Sequence, residues 1–210
     1  MHIFWISLLG GLFFGLIPSR LLLSQKCNYL DLSRIRNKLT TLNEPERHGR
    51  RWWKLPLVWI DPVRGYVTAT LLAQAVHAAP AGHDASGSER LIAMIITFGL
   101  LLLVLWVQAE RRSKSNGQLQ MVSPTGFLGG MIVGLLPPVV AIAALTLGVA
   151  TALALTNFSA GYFAASLATL TMGLVFTRNI PLVALQGFLV AFPMLMNWVR
   201  RTTLVMPIRS

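Results

Sequence analysis

The chain has 210 residues, of which 54% are hydrophobic and only 12% are charged. Soluble domains carry about 25% charged residues, so this composition excludes an ordinary soluble domain and points to a bilayer as solvent. The net charge of +11 comes without a basic helix interleaved with aromatics or any reader motif, which argues against nucleic acid and for positive-inside topology with anionic-lipid contact.

The first apolar run, Ile3–Leu23, follows an n-region of only Met1 and His2, with no small-x-small cleavage site after it, and reads as an uncleaved span rather than a signal peptide. The stretch Arg20–Lys54 then holds nine of the 18 lysines and arginines, opposed by Asp31, Glu44 and Glu46, so its loop 24–54 is expected on the cytoplasmic side. Leu30, Leu32, Ile35, Leu39 and Leu42 recur at roughly helical spacing against Arg34, Arg36 and Lys38, which predicts an amphipathic interfacial helix. Arg47, Arg50, Arg51 and Lys54 form the best cluster for phosphate or lipid headgroups, and topology alone is the plainer reading of their charge. Trp52, Trp53 and Trp59 read as an interfacial aromatic belt.

The second run, Leu55–Val76, contains Asp61-Pro62 followed by Arg64. One reading makes Asp61 an N-cap, Pro62 the first helical residue, and Asp61 with Arg64 a local ion pair. The other places Arg64 at the cytoplasmic mouth as a phosphate ligand oriented by Asp61. After Leu91–Gln108 and a basic turn with Arg111, Arg112 and Lys114, the segment Met121–Thr156 is too long for one span and is divided by Pro137-Pro138. Phe158–Thr177 and Ile180–Val199 close the series before a tail bearing Arg200, Arg201 and Arg209.

Counting Met121–Thr156 as one bent span gives six crossings; counting it as two gives seven. Seven puts the basic tail inside with the first loop, whereas six puts it outside, so the expectation is an all-α polytopic membrane protein. Its 210 residues form a single transmembrane domain of about seven helices, with the N-terminus outside and the C-terminus cytoplasmic. The fourth span is then short and glycine-rich, roughly Val122 to Pro137. Leu9–Pro18 and Leu128–Pro137 share one pattern, with Gly11/Gly15 and Gly130/Gly134 four apart. Such pairs let helix backbones approach closely. They predict two helices packed on each other or an old duplication, or else two independent seams. The single cysteine, Cys27, allows no internal disulfide, and four histidines lie outside the runs without ligand spacing, so neither metal nor cofactor is expected.

Three segments resemble the bacterial acyl-phosphate:glycerol-3-phosphate acyltransferases, small seven-span inner-membrane enzymes. Leu8–Leu22, LLGGLFFGLIPSRLL, is similar to that family's first span. Trp59–Ala73, WIDPVRGYVTATLLA, resembles its L-D-x-x-K-G pattern, with Asp61 and Gly65 matching and Arg64 in place of lysine. Gly161–Ala168 resembles R-Y-x-S-L-A-S without the arginine. The resemblance implies acyl transfer from an acyl phosphate to glycerol 3-phosphate at the cytoplasmic face, with Arg47 and Arg64 as phosphate ligands.

The departures are substantial. The family's phosphate-holding S-G-N-x-G-A-T-N loop is absent, for no glycine stands between Leu30 and His48, and Asn37 and Leu39 replace its serine and first asparagine. Its G-G-K-G segment is Ser123-Pro-Thr-Gly126 here, and Gln108-Ala109-Glu110 stands where it has a histidine. The catalytic residues are therefore unassigned. The other expectation is a non-catalytic membrane subunit or lipid-binding scaffold whose basic loop holds a protein partner or anionic lipid.

Overall fold

The computed structural model describes residues 2–17, 27–30, 56–77, 87–109, 111–113 and 119–209. Seven helices lie among them: α1 (Trp5–Leu16), α2 (Pro56–Ala75), α3 (Gly87–Gln108), α4 (Thr125–Leu135), α5 (Pro138–Ala154), α6 (Phe158–Thr177) and α7 (Ile180–Arg200). Their boundaries follow from local chemistry. Asn157 caps α6 by accepting from Ser159 N at 2.9 Å, and Asn179 caps α7 by accepting from Leu182 N at 3.2 Å. Pro138 starts α5, where its missing N–H is not needed, and the preceding Leu136 and Pro137 are extended, which separates α5 from α4.

Three helices, α3, α6 and α7, are long and apolar enough to cross a membrane; α1, α4 and α5 are shorter apolar helices of 12, 11 and 17 residues. The 20-residue α2 carries Asp61, Arg64, Thr68, Thr70 and Gln74 among its apolar residues. The outer faces are strongly apolar: Ile6 is 90% exposed, Trp198 79% and Val175 68%. A water-soluble monomer does not present so much contiguous apolar surface, so these faces suit lipid.

Glycine contacts give the helix directions. Along α2 and α4, Gly126 meets Asp61 and Pro62, Gly130 meets Pro62 and Tyr66, and Gly134 meets Tyr66, Ala69 and Thr70, so the two run parallel. Gly11 meets Leu72 while Gly15 meets Thr68, so α1 runs antiparallel to α2. The α5–α6 pair (Gly148 with Ala165, Gly161 with Ala152) and the α6–α7 pair (Gly173 with Val183, Gly187 with Leu170) are antiparallel too. The two similar glycine segments therefore do not pack on each other. They lie against α2 with opposite polarity, as two separate seams.

The helical expectation holds for the bulk of the described residues, and two small sheets join it. Strands β1 (His2–Ile3) and β3 (Val76–His77) pair antiparallel where α1 begins and α2 ends. At the other end β2 (Cys27–Leu30), β4 (Arg111–Ser113), β5 (Leu119–Val122) and β6 (Thr203–Arg209) form a sheet ordered β2-β6-β5-β4. These strands are short and interrupted by polar turn residues, so apolar periodicity does not reveal them. Leu30 closes a strand rather than opening the expected amphipathic helix; the remainder of that helix lies outside the described residues. Asp61 and Pro62 are also displaced from expectation, since α2 begins at Pro56 and holds both inside the helix. The core runs through α4, whose Phe127, Leu128 and Met131 are buried against Leu72, Leu101 and Leu105.

Candidate functional site

The sheet end of the bundle concentrates the buried polar groups. It begins with the C-terminus of α1, whose last carbonyls lack intrahelical partners. Ile17 continues in an extended conformation, so no left-handed cap folds back on them. Two buried side chains from other helices do this instead. Arg64 donates through Nη2 to Phe14 O at 3.1 Å and to Ile17 O, and Gln108 donates through Nε2 to Gly15 O and, at 2.8 Å, to Ile17 O. A cation at the negative end of a helix is also favourable electrostatically.

Arg64 is held from two further sides. Its Nη1 donates to Asp61 Oδ1 at 2.7 Å, one turn back on α2. Its guanidinium carbon stands 5.6 Å from the centre of the Phe127 ring. Its Nε is buried without a hydrogen-bond partner. Burying this ion pair is tolerable because the guanidinium also donates to two carbonyls, in line with the rule that buried charges are paired.

Beside this pair lies a cluster of hydroxyls. Ser123 Oγ is 2.6 Å from Tyr162 OH and 2.7 Å from Thr125 Oγ1, and Thr125 Oγ1 is 3.1 Å from Tyr162 OH. Ser123 is fixed from behind, because its N–H donates to Val205 O of β6 at 2.8 Å. Gly126 connects the cluster with the ion pair, since its Cα faces Asp61 and Pro62 so closely that an added Cβ would stand 3.4 Å from each. The segment Ser123–Gly126 thus leads into the N-terminus of α4, whose partial positive charge faces the same end. Replacing Tyr162 with phenylalanine is expected to cost about 1 kcal/mol, the usual net worth of such a bond. Ser123 and Thr125 can still pair, so thermal unfolding in detergent should shift by only a few degrees.

The periphery of this end is basic and aromatic. Arg200 stacks 4.2 Å above the Trp106 ring, tying α7 to α3. Asn197 donates to Ser159 Oγ at 3.0 Å and accepts from Thr202 at 3.1 Å. Trp59 and Trp198 are exposed. Among the described residues no group of three or more His, Cys, Asp or Glu is placed to hold a metal ion.

Of the residues singled out in the sequence, Asp61 and Arg64 meet in the ion pair, and the Ser123–Gly126 and Tyr162 segments meet in the hydroxyl cluster. Gly11, Gly15, Gly130 and Gly134 lie in the seams on α2. Arg47, Arg50, Arg51 and Lys54, with Trp52 and Trp53, lie outside the described residues. Sequence reading missed Gln108 as a cap for α1, although a lone amide closing an apolar run is a signal of buried hydrogen bonding. It also missed Val205, whose contribution is a backbone carbonyl that no side-chain pattern announces. Comparison with family models, curated proteins and solved structures finds no match.

Proposed function

We propose that the chain is a seven-crossing inner-membrane protein that handles phosphate-bearing lipid precursors at its cytoplasmic face, in the manner of the acyl-phosphate:glycerol-3-phosphate acyltransferases. The observation that carries this reading is convergence. Asp61–Gly65, Ser123–Gly126 and Tyr162, which come from three distant segments, gather at one end of the bundle. Two of these segments carry the resemblance, and the third stands where the family has its lysine segment.

Seven crossings accord with the alternation of helix direction, and with the sheet that holds the segments after α1, α3 and α7 together. The arginines on β4 and β6 favour this end as the cytoplasmic one. Acyl transfer needs a bound anion, a positioned hydroxyl and stabilisation of developing charge. The hydroxyls and the α4 N-terminus would orient a phosphate-bearing substrate, and Arg47, Arg50, Arg51 and Lys54 would supply cations.

The purified protein in nanodiscs should release phosphate from acyl phosphate when glycerol 3-phosphate is added, and should rescue a strain lacking the acyltransferase. Tyr162→Phe should slow turnover by more than its loss of about 1 kcal/mol in stability accounts for. No turnover with any acyl donor, together with no rescue, would sink the proposal.

One observation favours a second reading, a non-catalytic bundle that holds anionic lipid or a protein partner. Arg64 is already engaged by Asp61 and the carbonyls of α1, which gives its Nη1 and Nη2 a structural role. A stoichiometric protein co-purifying in mild detergent would support this alternative.

A further inference from the structure

The end of α7 is closed by an arginine in a glycine's place. Thr202 N donates to Asn197 O and Arg201 N donates to Trp198 O, both at 3.3 Å, the crossed bonds by which a left-handed residue caps a helix. That residue is Arg201, at φ 48 and ψ 41. Glycine is the common residue there, because a Cβ in the left-handed region crowds the backbone. The chain therefore holds this side chain at the end of α7 against the preference of its own backbone.

Nothing in the fold uses the charge so placed. Among the described residues the carboxylates are Asp61, which Arg64 takes, and Glu89, at the start of α3 and so at the opposite end of the bundle. No described residue forms a hydrogen bond or ion pair with the Arg201 guanidinium. Its neighbour Arg200, by contrast, is committed to the Trp106 ring.

Arg201 borders an open cavity of about 490 Å3, lined also by Asn197, Trp198, Val199 and Thr202. That volume falls within the roughly 300–1,000 Å3 of small-molecule sites. Asn197 is fixed within it by its bonds to Ser159 and Thr202. The cavity has an acceptor as well as a cation. The crossed bonds occupy the carbonyls of Asn197 and Trp198, and no described donor reaches that of Val199, at the negative end of the helix. A simple anion would suit Arg201 and be repelled by that carbonyl. A headgroup with a phosphate and an N–H-bearing ammonium suits both. Trp198 and Val199, 79% and 75% exposed, add an apolar flank where a spanning helix ends, which suits a ligand with an acyl tail.

We propose that the end of α7 is a binding site for an aminophospholipid. Arg201 takes the phosphate, the Val199 carbonyl takes the primary ammonium, and the exposed side chains of Trp198 and Val199 lie along the start of the acyl chains. The site is separate from the hydroxyl cluster and does not depend on acyl transfer. It rests on the reading that α7 crosses the membrane and ends at its surface.

The test takes the full chain, stripped of lipid in neutral detergent, titrates it with short-chain phospholipids and counts bound lipid by native mass spectrometry. Phosphatidylethanolamine should bind roughly tenfold more tightly than phosphatidylcholine, whose ammonium has no N–H, or phosphatidylglycerol, whose hydroxyls donate without charge. Arg201→Gly should lose about tenfold of that affinity. Its lipid-free melting temperature should stay equal or rise, because glycine suits the left-handed position. The control is Arg178→Gly: Arg178 is also left-handed, at φ 53, but closes α6 at the other end of the bundle, so binding should be unchanged.

Phosphatidylcholine or phosphatidylglycerol binding as tightly as phosphatidylethanolamine would overturn the proposal, the first by making the Trp198 ring the receptor for the ammonium and the second by reducing the site to contact with any anion. An equal loss in Arg178→Gly would overturn it too, by making the effect one of overall charge. So would displacement of the lipid by free phosphoethanolamine at the lipid's own concentration, which would make a soluble compound the ligand. Should Arg201→Gly fail to fold, N-methylated phosphatidylethanolamines decide the matter on the wild-type protein: affinity that falls as each N–H is replaced supports the site, and constant affinity overturns it. No turnover is read in any arm, so the loss of the acyl-transfer reading leaves this result intact, and the reverse also holds.

Discussion

Replacing Gly130 with alanine is expected to unseat α4 from α2 and to give a stability loss matched only by Gly65→Ala among the described glycines. A Cβ built at Gly130 would stand 1.9 Å from Pro62 O, and one at Gly65 would stand 1.9 Å from Phe127 O. The two glycines face each other's helix backbone reciprocally, so no flexible side chain can yield and the helices must separate. Overpacking a core typically costs about 1–3 kcal/mol, and contacts with rigid backbone belong at or above the upper end. Gly65→Ala should behave the same way, and the double variant should cost less than the two singles added, because one separation of the helices relieves both clashes. Gly99→Ala is the control: nothing lies within 4 Å of its Cβ position, so thermal unfolding should be unchanged or slightly raised. Size-exclusion profiles and thermal melts in one detergent would read all four. A Gly130→Ala melt matching the wild type would contradict the close α2–α4 seam.

The second large effect is expected at Arg64. Replacing it with methionine keeps the apolar stem but takes the guanidinium away from the buried Asp61 carboxylate and removes the donor that Phe14 O and Ile17 O share. Breaking one side of a buried pair commonly costs about 3–5 kcal/mol. Arg64→Lys should recover little, because a single ammonium cannot span a carboxylate and two carbonyls as the planar guanidinium does. Pairing Arg64→Met with Asp61→Asn should restore part of the loss, since the uncompensated charge goes with it. Denaturation of the three variants in the same detergent checks the order: wild type above the double variant, and the double variant above Arg64→Met. A single variant as stable as the wild type would show that the end of α1 needs no such cap.

Much of this architecture is legible in the chain because a bilayer imposes simple rules. Apolar length and Pro137-Pro138 mark where α3 to α7 run and where α4 gives way to α5, and Gly130 and Gly134 announce a tight seam before any partner is known. What the pattern withholds is which helix fills that seam. The likeness of the two glycine segments left a mutual contact and two separate seams equally open, and each segment presses on α2, the most polar helix of the set. Arg64 is similarly ambiguous in sequence. A cation at a helix start reads equally as ligand or ion-pair partner, and only the third dimension brings the open carbonyls of α1 to it. The hydroxyl cluster was hidden for a different reason. Serine, threonine and tyrosine carry no spacing rule across separate helices, so their meeting depends on tertiary packing alone. The sheet lay beyond reach because its strands pair through backbone atoms, across separations that no local pattern spans.

That last separation has a consequence for how the molecule is made. Cys27–Leu30 must wait for Met206–Arg209, about 180 residues later, and synthesis at ~5–20 residues per second puts on the order of 10–40 s between them. The described helices between them can form and pack during that interval, while the first strand waits for its partner. The seal at the sheet end is therefore among the last contacts to form: a chain cut between Val205 and Met206 would keep the seven described helices and leave Cys27–Leu30 unfastened, open to proteolysis.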